Sequence, residues 1–322
     1  MKTLVRIGTR RSKLSLWQAN CIAELIVCHH PSARVEIREF TTRGDANPTA
    51  PLPAIGGKGV FTEALEAALR NGEIDCAAHS LKDLPVDDAA GLAIGAIPKR
   101  ADARDALVSR TASSLAELPP GARIGTGSLR RRAQLLALRP DLAVVPIRGN
   151  VPTRVSLLDD AERQLDAIVL AAAGLNRLGM VAHIRETFTP EQMLSAAGQG
   201  ALALQCRADP AWLAFFAKLN DAATELAVSA ERAFLGGLEG GCSLPVGAYA
   251  CFSQGRLRLH GRVIALDGSR QLDLRSEATM SMKRENLAAA RKLGADLAVQ
   301  ALEQGAGQML TDLASSSEPD DS

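Results

Sequence analysis

Cys242 stands in LEGGCSLPVG, residues 238 to 247, behind two glycines and just ahead of a proline-marked strand. A free cysteine ordinarily packs as a small buried hydrophobe, so a thiol set on a Gly-Gly hinge points to covalent chemistry. A second reactive group lies far upstream in HSLKDLPV. There Asp83 directly follows Lys82 and stands two residues before Pro85, just past an apolar strand, where α/β folds present catalytic side chains. A carboxylate at such a place can stabilise positive charge that develops in a substrate and take part in proton transfer. His79 has no partner at metal-ligand spacing and reads as a packed or hydrogen-bonded structural histidine.

Four further segments share one chemistry. IGTGSLRRR puts Thr126, Gly127 and Ser128 at a strand-to-helix junction, with Arg130 and Arg131 on the first turn. Free backbone N–H groups and the helix dipole favour an anion there. IRGNVPTR repeats the design with Arg148 and Arg154, IGGKG carries Lys58 ahead of a helix, and TRRS supplies Arg10 and Ser12. Guanidinium forks bind planar oxyanions in bidentate fashion, so several of them on one cleft imply a ligand with many carboxylates. The G-T-G-S run lacks the spacing of a nucleotide P-loop.

Alternating strands and helices must position these groups. LVRIGT reads as a strand and Ser12 as the cap of a helix reaching about His29, whose apolar positions Leu16, Ala19, Ala23 and Ile26 keep helical spacing. ARVEIREF follows as a strand, then a helix from Val60 to Arg70 closed by Asn71-Gly72, then strand IDCAAHS. A second cycle begins near residue 99 with DALVS, RIGTG, helix SLRRRAQLLALR, strand LAVVPIR, helix VPTRVSLLDD and strand AIVLAAAG. After GQGALALQC come a helix from Ala222 to Leu235, three strands with an Asp267-Gly268 turn between the last two, and an amphipathic helix from Lys283 to Gln304. The expected architecture is therefore two similar α/β lobes with a cleft between them and a small α+β C-terminal domain. Its boundaries fall at 1–98 with 198–217, 99–197 and 218–305, with 306–322 as a flexible acidic tail.

The chain has 322 residues, is 47% hydrophobic and 23% charged, and carries a net charge of only +1, which argues against a general polyanion binder such as one for nucleic acid. The charge is uneven: seven arginines between Arg123 and Arg154 face one acid, Asp141, an excess that asks for a partner. Six cysteines without a C-x-x-C pair and five scattered histidines indicate neither a zinc site nor a disulfide framework. No apolar run is long enough to span a membrane, and no leader is evident. A cytoplasmic monomer with reduced thiols is the expectation.

IGTRRSKLSLWQA, GGKGVFTEALEAAL, HSLKDLPV, GTGSLRRR, IRGNVPTR, AAAGLNRLG, AAGQGALALQCR, SAERAFL and LEGGCSLPVGA follow one another in the order and spacing of porphobilinogen deaminase, also called hydroxymethylbilane synthase, and the resemblance reaches to about residue 305. It implies two domains similar to periplasmic binding proteins and a third that carries the cofactor. The implied reaction joins four porphobilinogen molecules head to tail with loss of ammonia and then hydrolyses off the linear tetrapyrrole hydroxymethylbilane. The implied cofactor is dipyrromethane, joined through a thioether to Cys242, and the implied catalytic residue is Asp83. By the same resemblance Arg10, Ser12, Lys58, Ser80, Lys82, Thr126, Ser128, Arg130, Arg131, Arg148, Arg154 and Arg177 bind carboxylates, and Gln199 lines the cleft. Each porphobilinogen carries an acetate and a propionate, which supplies the anionic partner that the arginines lack. The chain departs from the family pattern at Gly127, where Ser is usual, and at Lys13, Glu63-Ala64 and Asp221. A non-catalytic two-lobed anion-binding protein and a thiol hydrolase built on Cys242 are the rival readings.

Overall fold

The computed structural model describes residues 4–42, 62–87, 89–238 and 244–315. The first lobe contains β1 (Leu4–Arg10), α1 (Lys13–His29), β2 (Arg34–Phe40), α2 (Glu63–Arg70), β3 (Cys76–Ser80) and β4 (Leu92–Ala96). The second contains β5 (Asp105–Ser109), β6 (Arg123–Gly125), α3 (Leu129–Leu138), β7 (Ala143–Val145), α4 (Val151–Ser156), β8 (Ala167–Ala171), α5 (Ala172–Arg177) and β9 (Ile184–Thr187). The chain then returns to the first lobe through β10 (Leu202–Arg207) and α6 (Pro210–Phe216). It ends with α7 (Ala222–Gly237), β11 (Val246–Ser253), β12 (Arg256–Ile264), β13 (Gln271–Thr279), α8 (Leu287–Glu303) and α9 (Ala306–Ser315).

Both lobes are built on one plan. The sheet orders are β2-β1-β3-β10-β4 and β7-β6-β8-β5-β9, and in each the first three strands are parallel while the fourth runs against its neighbours. That fourth strand is the one that follows a crossing between lobes. Its first residue therefore lies beside the last residues of a parallel strand: Leu202 pairs with Ser80, and Asp105 with Ala171. The carboxyl ends of parallel strands, where open α/β sheets bind ligands, thus coincide with the points where the chain changes lobe.

Local sequence explains most element ends. The Ser12 hydroxyl accepts the Ser15 N–H at 3.1 Å and starts α1, which buries Gln18, Ala19, Ile22 and Ile26 along one face. Asn71 closes α2, and Gly72 takes the left-handed turn that follows. β7 stops at Val145 because Pro146 offers no ladder donor. The run AAAG leaves β8 at Ala171 and continues as α5, in keeping with the strong helix preference of alanine. In the third unit Leu257, Leu259 and Val263 of the antiparallel sheet β11-β12-β13 join a core with Phe234 of α7 and Leu297 of α8. Residues 306–315, expected to open the flexible tail, instead form α9, whose Ala306 and Met309 complete that core. Apolar Ala306 and Met309 find a surface to cover there.

Glu231 of α7 ties the three units together. Its carboxylate receives Arg100 Nη1 at 2.5 Å and Nη2 at 3.1 Å, the Gly198 N–H at 2.7 Å and the Ala250 N–H at 2.8 Å. Arg100 lies on the outward crossing and Gly198 on the return one, and Arg100 Nε also donates to the Gln199 carbonyl at 2.7 Å. The crossings touch where the Ala101 N–H donates to the Gly200 carbonyl at 3.1 Å. Gly200 has φ +86°, and a Cβ there would meet the Ala101 carbonyl oxygen at 2.7 Å, so only glycine allows this approach.

Candidate active site

A cavity of about 820 Å³ lies between the lobes and is closed on one side by Leu235, Leu244 and Val246 of the third unit. The first lobe contributes Arg10 and Ser12 from the end of β1 and the start of α1, and Ser80, Lys82 and Asp83 from the end of β3 and the 3-10 turn Leu81–Asp83. The second contributes Ser128, Arg130 and Arg131 from the start of α3, and Arg148 and Arg154 from the loop before α4 and from α4 itself. Gln199 comes from the return crossing. Eleven of the sequence-designated residues thus share one cavity wall, although they come from segments more than a hundred residues apart.

The wall is strongly cationic. Among the described lining residues Arg10, Lys13, Lys82, Arg130, Arg131, Arg148 and Arg154 face a single acid, Asp83. Burial pushes Lys82 down to about 8, against the pull of Asp83 and with Arg131 and Arg130 pushing the same way. Burial likewise lowers Arg154 to about 10, helped by Arg131 and Arg148 and opposed by Asp83. Such a site stabilises bound anions, because each carboxylate relieves repulsion among groups already removed from water.

Arg130 and Arg131 are not simply waiting for a ligand. The sequence excess of positive charge has a partner inside the fold, Asp105, which lies outside the stretch that carries the arginines. Arg131 donates to Asp105 Oδ1 through Nε at 3.0 Å and Nη2 at 2.7 Å, and Arg130 Nη1 contacts Oδ2 at 2.8 Å. Burial by itself would raise the Asp105 carboxyl, but the two guanidinium groups overcome it and hold Asp105 well below the usual carboxylate range. Gln199 joins the cluster: its Nε2 donates to Asp105 Oδ1 at 2.8 Å and to the Ala103 carbonyl at 2.7 Å. Its Oε1 accepts from Lys82 Nζ at 3.3 Å. Arg139 is similarly matched by Asp141 at 2.7 Å.

Two designated residues stand away from the wall. Thr126 is buried, its N–H donates to the Val145 carbonyl at 3.0 Å, and its hydroxyl accepts the Ser128 N–H at 3.2 Å. It shapes the turn and leaves Ser128, which accepts the Arg131 N–H at 3.4 Å, to cap α3. Arg177 braces the return crossing, donating to the Gly200 carbonyl at 2.7 Å with its guanidinium over the Trp17 ring at 5.4 Å. Cys242 and Lys58 lie outside the described residues. At Gly127 a Cβ would meet the Ile147 carbonyl oxygen at 2.7 Å, so the missing serine is a matter of backbone approach as well as of a lost hydroxyl. His79 lines the cavity, and burial pushes its imidazole down to about 4, which keeps it neutral near pH 7.

The sequence reading missed Asp105, whose only signal is an acid opening the apolar strand DALVS. It also missed Gln18, whose Nε2 donates to the Ser80 hydroxyl at 2.7 Å. Among the described residues no group of three or more His, Cys, Asp or Glu is placed to hold a metal ion, and no helix is long and apolar enough to cross a membrane.

Residues 5–214 match the family model described as "Porphobilinogen deaminase, dipyromethane cofactor binding domain", and residues 225–303 match "Porphobilinogen deaminase, C-terminal domain". A protein of Nitratidesulfovibrio vulgaris named porphobilinogen deaminase is 45% identical over 321 residues, covering 99% of each chain. One of Brevibacillus brevis with the same name is 45% identical over 310 residues, covering 96% of this chain and 97% of its own. Among solved structures, the methionine-binding protein MetQ aligns with a TM-score of 0.41 at 16% identity, over 67% of this chain and 89% of its own.

Proposed function

The chain belongs to the porphobilinogen deaminase family, and from that premise we propose that the interlobe cavity is where its reaction takes place. The activity is the head-to-tail condensation of four porphobilinogen molecules into hydroxymethylbilane with release of ammonia, a transferase step of tetrapyrrole biosynthesis that uses a dipyrromethane cofactor. The observation that carries the assignment to this cavity is that its described lining residues include seven cations and one acid. Burying many carboxylates without cations would be prohibitive, and guanidinium forks and helix N-termini offset that cost. The same donor set fits dipyrromethane, which also carries carboxylates, and Arg10, Lys82, Arg130, Arg131, Arg148 and Arg154 would hold its acidic side chains and those of the added rings. Ser12, Ser80, Ser128 and Gln199 add neutral hydrogen-bond partners on the same wall, and the family pattern adds Lys58.

When bound, dipyrromethane supplies the pyrrole α-carbon that receives the first added unit, and the Cys242 thioether is proposed as its attachment. In each addition the C–N bond of the substrate aminomethyl group breaks with the electron pair leaving on ammonia. Asp83 would face the positively charged carbon that this leaves, and the proton released in the addition would pass to the departing ammonia as ammonium. Asp83 is the one acid of the described wall and takes the charge-stabilising role, accepting pyrrole N–H groups and moving the proton. Arginines in the same wall orient the carboxylates and leave the carboxylate of Asp83 to the positively charged centre.

Around this site we read domains at 1–98 with 198–217, 99–197 and 218–305, and a cytoplasmic monomer that acts on a small molecule and binds no nucleic acid. The deciding experiment is intact mass of the purified protein. An increment matching two linked pyrroles, absent from Cys242→Ser, supports the reading. A bare wild-type chain, or a covalent pyrrole retained on the serine variant, overturns the attachment and favours a simple anion-binding protein.

A further inference from the structure

We infer that Asp105 is a positioning residue for this reaction, setting both the pose and the net charge of Arg130 and Arg131 while lying behind the cavity wall; the inference rests on the function proposed above. Asp105 is the first residue of β5 and is fully buried, and its carbonyl accepts the Phe188 N–H at 2.9 Å, so its backbone is held by the sheet. Both arginines converge on its carboxylate, at 2.7 and 3.0 Å for Arg131 and 2.8 Å for Arg130. Their other bonds are to carbonyls: Arg131 Nη1 donates to Val169 at 3.2 Å and Arg130 Nη1 to Leu194 at 2.6 Å. The Arg131 guanidinium, gripped at Nε, Nη1 and Nη2, has little rotational freedom left and meets the ligand in one orientation, while Arg130 is held through Nη1 between Asp105 and the Leu194 carbonyl.

The charge argument is separate from the pose argument. Two guanidinium groups and one carboxylate present a net single positive charge, where the bare pair would present two. Lys82 and Arg131 both reach Gln199 Oε1, at 3.3 and 3.5 Å, so Gln199 extends the same cluster across the lobe boundary. A bound chain that gains two carboxylates with every added ring would be held ever more tightly by an uncompensated wall, yet the product has to leave. A buried acid behind the arginines weakens that hold by a constant amount while keeping them aimed. A unit charge about 7 Å from a bound carboxylate, at an effective dielectric constant near 20, changes affinity by roughly fiftyfold, and screening by salt and water at the open side of the cavity brings that to the order of tenfold.

The test uses the full-length holoenzyme. Asp105→Asn keeps an oxygen for Arg131 and removes the charge, and Gln199→Glu adds a negative charge to the same cluster while giving up the Nε2 bonds to Asp105 and to the Ala103 carbonyl. Initial rates against porphobilinogen at several salt concentrations give KM and kcat, and intact mass during turnover shows how many rings each enzyme molecule carries. The expected result for Asp105→Asn is a KM about tenfold lower, a lower kcat, a steeper salt dependence and a mass distribution shifted to longer chains. Gln199→Glu should raise KM about tenfold. KM within twofold of wild type in either variant, or a raised KM in Asp105→Asn, overturns the inference. If Asp105→Asn does not fold, Gln199→Glu decides alone. A wild-type enzyme that makes no hydroxymethylbilane would instead refute the functional reading.

Discussion

Replacing Glu231 with alanine perturbs the point where the three units meet. The Glu231 side chain is fully buried and that of Arg100 is 11% exposed, so the substitution leaves a largely buried guanidinium without its carboxylate. Removing one partner of a buried ion pair typically costs about 3–5 kcal/mol. The Gly198 and Ala250 N–H groups, which donate to the same carboxylate at 2.7 and 2.8 Å, lose their acceptor as well. Each orphaned donor adds about 1–3 kcal/mol if no water reaches it. Water entering the vacated space relieves part of both terms, so about 5 kcal/mol is the working figure. At roughly 2–4 °C per kcal/mol for a chain of this size, the thermal midpoint should fall by about 10–20 °C. Glu231→Gln keeps one acceptor oxygen, enough for only one of the two amides, and should lose somewhat less than the alanine variant. Calorimetry or circular dichroism on apo and holo protein reads the midpoint. A Glu231→Ala protein melting within 3 °C of wild type would show that the crossings are held by other contacts.

Asp83→Asn should retain the cofactor mass and the fold while turnover falls roughly a thousandfold, the factor for losing about 4 kcal/mol of attraction to a cation about 4 Å away at intermediate dielectric; activity within tenfold of wild type would remove Asp83 from the mechanism. Lys82 has been pushed down to about 8, so its charge is present below that pH and lost above it. KM for porphobilinogen should therefore rise as pH passes upward through 8, and Lys82→Arg should flatten the profile; an unchanged profile would exclude Lys82 from carboxylate binding. The same shift carries a sign for stability: the fold bears a buried ammonium below about pH 8 and is relieved of it above, so this group's contribution to stability improves as pH rises from about 8 toward the ordinary lysine value. Gly127→Ser should lower the thermal midpoint by a few degrees despite matching the usual family residue, because its Cβ would press on the Ile147 carbonyl; a stabilised variant would contradict that geometry.

Elements whose limits depend on neighbouring residues were legible without coordinates. Ser12 and Ser128 are the caps of α1 and α3, where a hydroxyl before an apolar-periodic run satisfies the first free N–H groups. The Asp267-Gly268 turn was legible from local dihedral preference, with Gly268 at φ +76°, although its close approach to the backbone of α3 was not. Alternation of strands and helices set the class of both lobes, and the ordered motifs pointed to the family before any distance was known. Helix α9 and the early end of β8 were not legible, since each depends on a surface formed by residues distant in the chain or on a local competition between two permitted structures.

The sequence by itself determined which residue types were present to bind a polyanion and the order in which they occur along the chain. Tertiary structure alone decided which arginines had an internal counter-charge. Asp105 stands 25 residues before Arg130 and reaches it only because a crossing strand runs antiparallel into the second sheet, with its first residue at the cavity. It equally decided that Thr126 and Arg177 support the wall from behind while Arg148 and Arg154 line it. Side-chain type follows from the chain alone, whereas the electrostatic field at a point depends on every charge within a few ångströms, and those neighbours exist only once the sheets have formed.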